Sequence, residues 1–382
     1  MTERSPRRLA SSLLLAAAAL SASPAAAAPS LQFSGSAYVD SWVIPTQQPN
    51  ADQVKAPQGI TIDASMRFGV DVHDTLSFSA KACISCHGVE MDHLALDWQP
   101  KPWFNAQFGR LNVPFGEFAN RIDQSGHKTS SNPLIYDMGR MAYADRTSFN
   151  AGVLMLPYVD TGLMLYGTTW IGSVIQIWYA AYAVSGLKGS NDIEWMSLRA
   201  SPYVDNNKQP AYGSRVTLTY SSNPGAFIGD VSLGGSYTGG RYDREARLQY
   251  DVAGADLSIQ LWRVTLRGEY AFRRTALDPN ATGYDWALVD HFFDKRGFYA
   301  ELEHPLGRYV AMIYRYDRLE RLGAPLPGSS ALMTPNTALE RGTVGTVITP
   351  SSGIYMKLSY EYWKPNSFAV FQSGHVGFGG AF

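Results

Sequence analysis

Apolar and polar residues alternate over long stretches of this chain. In ITIDASMRFGVDV, residues 60–72, every second residue from Ile60 to Val72 is apolar, and the residues between them are polar or glycine. A period of two residues is that of a β-strand. Thirteen such residues exceed the ~9–11 that a tilted strand needs to cross a membrane. The same alternation recurs in RVTLRGEYAF and IYMKLSYEYW, at 263–272 and 354–363.

Turn signals separate the alternating runs and predict sixteen strands. Their ranges are 31–43, 59–72, 75–83, 91–98, 103–111, 160–171, 173–185, 213–222, 228–238, 244–256, 262–274, 295–305, 309–321, 339–349, 353–363 and 368–382. Long polar or Pro/Gly-rich links occur around 44–58, 112–159, 186–212, 275–294 and 322–338. An even strand count is typical of bacterial barrels with both termini in the periplasm. The predicted fold class is therefore all-β, a closed antiparallel up-and-down barrel with short periplasmic turns and long external loops.

Composition favours a barrel embedded in a lipid bilayer. Aromatic residues make up 13% of the chain, with 22 Tyr and 9 Trp, yet the mean hydropathy is only −0.16. Alternating lipid-facing and lumen-facing residues give such moderate values because the two faces cancel in any window average. We therefore expect the barrel to lie in the bacterial outer membrane.

The first 28 residues have the form of an export signal. Arg4, Arg7 and Arg8 precede the apolar run LASSLLLAAAAL, and small residues follow it, which is typical of a cleaved signal peptide. Its removal leaves 29 of the 32 basic residues and 32 of the 33 acidic residues. This balance gives no reason to expect a nucleic-acid partner. The predicted organisation is a signal peptide at 1–28 and one barrel at 29–382.

Two segments resemble the phosphate-selective porins O and P. MDHLALDWQPKPWFNAQFGRLNVPFGEF, residues 91–118, is similar to the family's strand–turn–strand that leads into a Gly-x-x-x-x-Pro-Phe segment, here Gly109 to Phe115. DTGLMLYG, residues 160–167, is similar to the strand that resumes the barrel. The resemblance implies a sixteen-stranded pore whose third external loop, at 112–159, folds inward. The terminal Phe382 also resembles the signal that the outer-membrane barrel assembly machinery reads.

Phosphate specificity is not expected, because no ladder rich in lysine or arginine is present. Arg110, Arg121 and Arg140 lie among Glu117, Asp123 and Asp137. Such mixed charge is typical of a solvated lumen. The charged residues expected to line the pore are Arg67, Lys81, Arg110, Arg121, Arg267, Glu269, Arg315 and Lys357.

The run CISCH, residues 83–87, contains the only two cysteines of the chain. Cys-x-x-Cys-His is the signature of covalent c-type haem attachment. In this hypothesis Cys83 and Cys86 bind the haem vinyl groups, and His87 is the proximal iron ligand. A Cys83–Cys86 disulfide is the alternative, because exported proteins fold in an oxidising compartment. A closed zinc site or a thioredoxin-like role has less in its favour.

The motif falls in the predicted external loop at 83–91. By alternation we expect Lys81, Cys83, Met91 and His93 to point into the lumen. Met91 and His93 are then the nearest candidates for the sixth ligand of the iron, and His93 would give the lower potential. The third-loop residues His127 and Met138 are more distant candidates.

Two functions are consistent with these patterns. In the first, the barrel carries one haem c and transfers electrons between an external redox partner and a periplasmic cytochrome. This pairing is similar in concept to the fused cytochrome–porins of iron-oxidising bacteria, in which the motif precedes the barrel. In the second, the chain is a diffusion porin for small hydrophilic solutes or anions, and Cys83 and Cys86 form a disulfide or hold a haem with only a structural role. No nucleophile motif favours a hydrolytic enzyme, and a homotrimer, which many porins form, leaves no mark in the sequence.

Overall fold

The computed structural model describes residues 30–43, 59–85, 88–136, 152–188, 205–223, 225–278, 291–323, 338–366 and 370–382. The proposed signal segment at 1–28 lies outside these ranges. Among the described residues, no helix is long and apolar enough to cross a bilayer.

Sixteen antiparallel strands form one closed barrel. They are β1 (Ser30–Val43), β2 (Gly59–His73), β3 (Leu76–Ser85), β4 (Gly88–Lys101), β5 (Phe104–Asn112), β6 (Val159–Ile171), β7 (Ile175–Val184), β8 (Ala211–Tyr220), β9 (Ile228–Arg241), β10 (Gln249–Leu261), β11 (Val264–Ala276), β12 (Phe292–Pro305), β13 (Val310–Gly323), β14 (Ala338–Ser351), β15 (Ile354–Pro365) and β16 (Phe371–Ala381). Each strand pairs with its neighbours in sequence, and β1 pairs with β16. The predicted fold class and strand number are confirmed.

The pairing of β1 with β16 closes the sheet. Their register runs from Ser36 opposite Ala381 to Val43 opposite Gly374. Beyond it, Gly35 and Phe382 exchange two backbone hydrogen bonds of 3.0 and 2.9 Å. Closure removes the free edges that an open sheet would expose to hydrocarbon, where backbone groups have no other partner.

The largest shift of a strand start to a later residue is that of β10. The sequence predicts β10 at 244–256, whereas the structure has it at Gln249–Leu261. The side chain of Asp243 accepts hydrogen bonds of 2.7 Å from the backbone N–H groups of Arg247 and Leu248. These two hydrogen bonds hold residues 243–248 in a turn, although polar and apolar residues alternate from Glu245 to Leu248 as they would in a strand.

The outer face of the barrel is apolar. Leu233 in β9 pairs with Leu218 in β8 and with Leu257 in β10, and the three side chains are between 42% and 53% exposed. The exposed rings of Trp103 and Trp262 lie beside the short turns. Apolar residues at mid-height and aromatic residues at the rim match a bilayer core and its interface.

Replacing Leu233 with Arg should place a charge against lipid near the middle of the barrel wall. We expect the free energy of unfolding to fall by roughly 2–4 kcal/mol. The matched control is Ser232→Arg, one residue away on the lumen face, which should cost much less. Urea unfolding in lipid vesicles, followed by tryptophan fluorescence, measures both. Equal losses would contradict the assignment of the two faces.

Candidate functional site in the lumen

The described parts of the third external loop, residues 113–136 and 152–158, lie inside the barrel. Phe115 and Phe118 are fully buried and belong to one apolar cluster with the strand residues Ala271 and Tyr299. The ring of Phe118 stacks on that of Tyr136, with centroids 5.9 Å apart. Burial of such rings contributes about 1.5–3 kcal/mol each, so the loop is a packed part of the barrel interior.

Glu269 in β11 binds the third loop at two residues, Phe118 and Tyr136. Its carboxylate accepts hydrogen bonds from the backbone N–H of Phe118 at 2.6 Å and from the hydroxyl of Tyr136 at 2.5 Å. Tyr299 donates to the same group at 2.8 Å. Gly116 has a φ of +71°, and any side chain there would collide with Tyr136 and Glu269. The close approach therefore requires glycine.

Three cationic side chains, one each from β13, β14 and β15, donate hydrogen bonds to oxygen atoms of the loop. Arg315 donates to Thr129 Oγ1 and Ser131 Oγ, both at 2.8 Å. Lys357 donates to the carbonyl oxygen of Gln124 at 2.6 Å and to that of Thr129 at 3.2 Å. The third cation, Arg341, donates to the carbonyl oxygen of Asn132 at 2.5 Å.

Asp317 in β13 connects these cations to the loop. It accepts hydrogen bonds of 3.1 Å from both Arg315 and Arg341, and one of 2.9 Å from the backbone N–H of Leu134. All three charged side chains have no exposed surface. Buried charges of this kind are stable only when they are paired. Removal of any one of these charged groups would therefore leave a buried charge without its partner and would destabilise the loop.

A cavity with both polar and apolar lining residues remains on the other side of the lumen. Its volume is about 720 Å³. Residues of β1 to β4 form one wall, including Leu31, Phe33 and Phe68, whose side chains are exposed on the outer face. Asn112 and Pro157, where the third loop leaves and rejoins the strands, complete it. The polar side chains in that wall are Gln32, Ser34, Arg67, Ser79, Lys81, Asp92 and His93.

The charged residues beside this cavity form one cluster. Asp123, on the loop, receives Arg67 at 2.7 Å and Lys81 at 2.5 Å. Asp92 lies 3.4 Å from Lys81 and accepts a hydrogen bond of 2.8 Å from the thiol of Cys83. Burial alone would raise the pKa of Asp123, but Lys81 and Arg67 lower it by more, so this pKa lies below its usual value. Asp123 is therefore ionised at neutral pH.

A β-bulge in β4 changes one prediction. Lys81 pairs with His93 and Ala82 pairs with Met91, so Asp92 is the extra residue between them. His93 faces the lumen as expected, where its Nε2 lies 2.8 Å from Ser79 Oγ. Met91 shares the outer face with Ala82, so the prediction that it points into the lumen is wrong. The bulge reverses the alternation at that point.

Arg110 is also misassigned as a pore-lining residue. Its neighbour Leu111 is fully buried in the lumen core, whereas Phe108 is 64% exposed on the outside. By alternation Arg110 therefore lies on the outer face, where its Nε donates to the carbonyl oxygen of Met91 at 2.6 Å. The inward position is needed by Leu111 for packing against the loop.

The other charged residues expected to line the pore face inward, but most are covered. Arg121 lies within the loop and pairs with Glu117 at 2.8 Å, and Arg267 pairs with Glu303 at 3.0 Å. Glu269, Arg315 and Lys357 hold the loop as described above. The side chain of Arg67, in contrast, is 58% exposed.

The haem motif is described only in part. Cys83 lies on the inner face of β3 and has no disulfide partner among the described residues, whereas Cys86 and His87 lie outside them. His127 is buried within the loop, where its Nδ1 lies 2.9 Å from the carbonyl oxygen of Arg121. Burial and the charge of Lys357 hold the pKa of His127 well below its usual value. Met138, like Asp137 and Arg140, lies outside the described residues.

Three site residues, Asp92, Asp317 and Arg341, were not expected from the sequence. Asp317 and Arg341 occupy inward positions in the alternation of β13 and β14, so the sequence pattern could have identified them. No sequence signal marks the bulge that turns Asp92 inward. From the sequence, Asp123 was expected only as one of several acidic residues that lie among the arginines of this region.

No protein-family model matches the chain, and no curated protein matches it. Several solved structures do. A loop L8 deletion mutant of OmpT from Vibrio cholerae is 10% identical, covers 93% of this chain and 100% of its own, and has a TM-score of 0.56. An anion-selective porin from Comamonas acidovorans is 12% identical, with coverage of 93% and 100% and a TM-score of 0.54. The outer-membrane channel DcaP of Acinetobacter baumannii is 11% identical, with coverage of 94% and 99% and a TM-score of 0.51.

These likenesses define the class of fold. The chain has the sixteen-stranded fold of outer-membrane porins. Its apolar outer face and its aromatic rim agree with that class. The barrel is therefore a protein of the bacterial outer membrane, with the lipid bilayer against its outer face.

Replacing Asp317 with Asn should loosen the loop. The change keeps an acceptor for Leu134 but removes the charge that pairs with Arg315 and Arg341. Breaking a buried pair costs roughly 3–5 kcal/mol. Urea unfolding of the reconstituted barrel should show a loss of this size.

The control for this variant is Glu340→Gln. Glu340 pairs with Arg318 at 3.1 Å, and both side chains are partly exposed. Partly exposed pairs contribute about 0–1 kcal/mol. A loss for Asp317→Asn no larger than that of the control would mean that the Asp317 network does not hold the loop.

Proposed function

We propose that this protein is a diffusion porin that admits small hydrophilic solutes across the outer membrane. The observation that carries the proposal is a cavity of about 720 Å³ in a closed barrel, with seven polar side chains of β1 to β4 in its wall. A sixteen-stranded barrel leaves an aqueous channel unless loops fill it. Here the third loop packs against β11 to β15, and polar space remains beside β1 to β4.

The descriptions of solved structures with a similar fold are consistent with this function. One is described as an anion-selective porin and another as an outer-membrane channel. A structure of OmpT is described as a trimer form. A homotrimer of the present chain remains a prediction.

Ser79→Trp tests the pathway. Ser79 faces the cavity, so an indole there should lower single-channel conductance severalfold by narrowing the lumen. The matched control is Ala82→Trp, on the outer face of the same strand opposite the exposed Met66, which should leave conductance unchanged. Planar-bilayer recordings of the purified protein measure both. A wild-type barrel that never conducts would overturn the proposal.

Attachment of haem c is a second candidate function. It is favoured by the inward position of Cys83 and of His93, on the same face of the β3–β4 hairpin. Cys83, Cys86 and His87 would hold the group, and His93 would be its distal ligand. The haem would supply one-electron chemistry. An external redox partner and a periplasmic cytochrome would then be the electron-transfer partners.

Haem staining distinguishes these functions. The barrel is purified from cells with an intact haem-maturation system and stained for haem peroxidase activity on a denaturing gel. Covalent haem should give a stained band that Cys83→Ala removes. Met91→Ala is the control, because its side chain lies on the outer face. An unstained band whose mobility changes on reduction would indicate a Cys83–Cys86 disulfide and exclude covalent haem.

A further inference from the structure

We propose that Asp123 sets the charge selectivity of the channel by neutralising Arg67 and Lys81, so that the wild-type lumen discriminates little between small anions and cations. This inference rests on the proposed porin function. It also narrows the solute class, because a nearly neutral passage selects hydrophilic solutes by size rather than by charge.

The geometry of the charged cluster supports this role. Two cations, Arg67 and Lys81, and two carboxylates, Asp92 and Asp123, lie together at the cavity wall. Asp123 is the member that contacts both cations, at 2.7 and 2.5 Å. Its removal would leave two positive charges against one negative charge at the narrowed part of the lumen.

The opposite charges come from different parts of the fold. Arg67 and Lys81 belong to the barrel wall, whereas Asp123 belongs to the inward-folded loop. Without Asp123, this wall would present the two positive charges of Arg67 and Lys81 and the one negative charge of Asp92, a net positive surface. Asp123 neutralises this positive charge, because packing of the rest of the third loop holds its carboxylate against Arg67 and Lys81.

The two cations differ in their exposure. The side chain of Lys81 is only 9% exposed, and Asp92 of the wall and Asp123 of the loop lie beside its ammonium group. The side chain of Arg67 is 58% exposed. A guanidinium has five N–H donors arranged to bind carboxylate or phosphate oxygens. Once released from Asp123, Arg67 would be the contact point for anions.

Asp123→Asn is the test. In planar bilayers with a salt gradient, reversal potentials should show little ion preference for the wild type and a shift toward anions of about threefold or more in the permeability ratio for the variant. The shift should shrink as the salt rises from about 0.1 to 1 M, because the Debye length falls from about 10 to 3 Å. Mobility on unheated gels verifies folding.

Two other variants keep the test decisive. Arg67→Gln should shift the preference toward cations, and the double variant with Asp123→Asn should return near the wild-type ratio. Asp230→Asn is the matched control. Asp230 lies at the start of β9, away from the cluster, where its carboxylate accepts a hydrogen bond from the backbone N–H of Ser222.

The outcomes separate this inference from the proposed function. If the wild type never conducts, the porin function fails. If the wild type conducts but Asp123→Asn shifts the ratio no more than Asp230→Asn does, only the role of Asp123 fails. A strongly anion-selective wild type would overturn that role as well.

Discussion

A sheet that crosses a bilayer must pair all its backbone N–H and C=O groups within itself, because hydrocarbon offers no hydrogen-bond partner. In this protein the pairing of β1 with β16 meets that requirement. Closure then creates two environments, lipid outside and an enclosed lumen inside. Each strand must satisfy both, which explains the strict alternation of apolar and polar residues.

The enclosed lumen makes the third loop part of the core. Tyr136 and Phe118 bury apolar surface, but this brings charged wall residues such as Glu269 and Asp317 out of water. The loop compensates them with backbone N–H groups, hydroxyls and carbonyls. The third loop fills the lumen beside β11 to β15 and leaves the cavity beside β1 to β4. It also brings Asp123 to the wall of that cavity.

The candidate site was partly predictable. Arg67, Lys81 and His93 were expected to face the lumen from alternation alone, and the structure has them there. Met91 and Arg110 were not predictable in this way. A single extra residue reverses the faces at Met91, and the sequence carries no mark of the bulge. Arg110 lies outside because Leu111 packs inside, and that contact depends on the loop.

The strand number, the closed antiparallel sheet and the two faces of nearly every strand could be inferred from the sequence alone, because a period of two is a local property. The sequence also indicated which long link folds inward, through its likeness to a known porin family. Which charges meet became clear only from the folded barrel. Asp123 lies 56 positions from Arg67, and Asp317 lies 183 positions from Leu134. Such pairs join residues that are far apart in the sequence and depend on the packing of the loop in the closed barrel, so no local pattern records them.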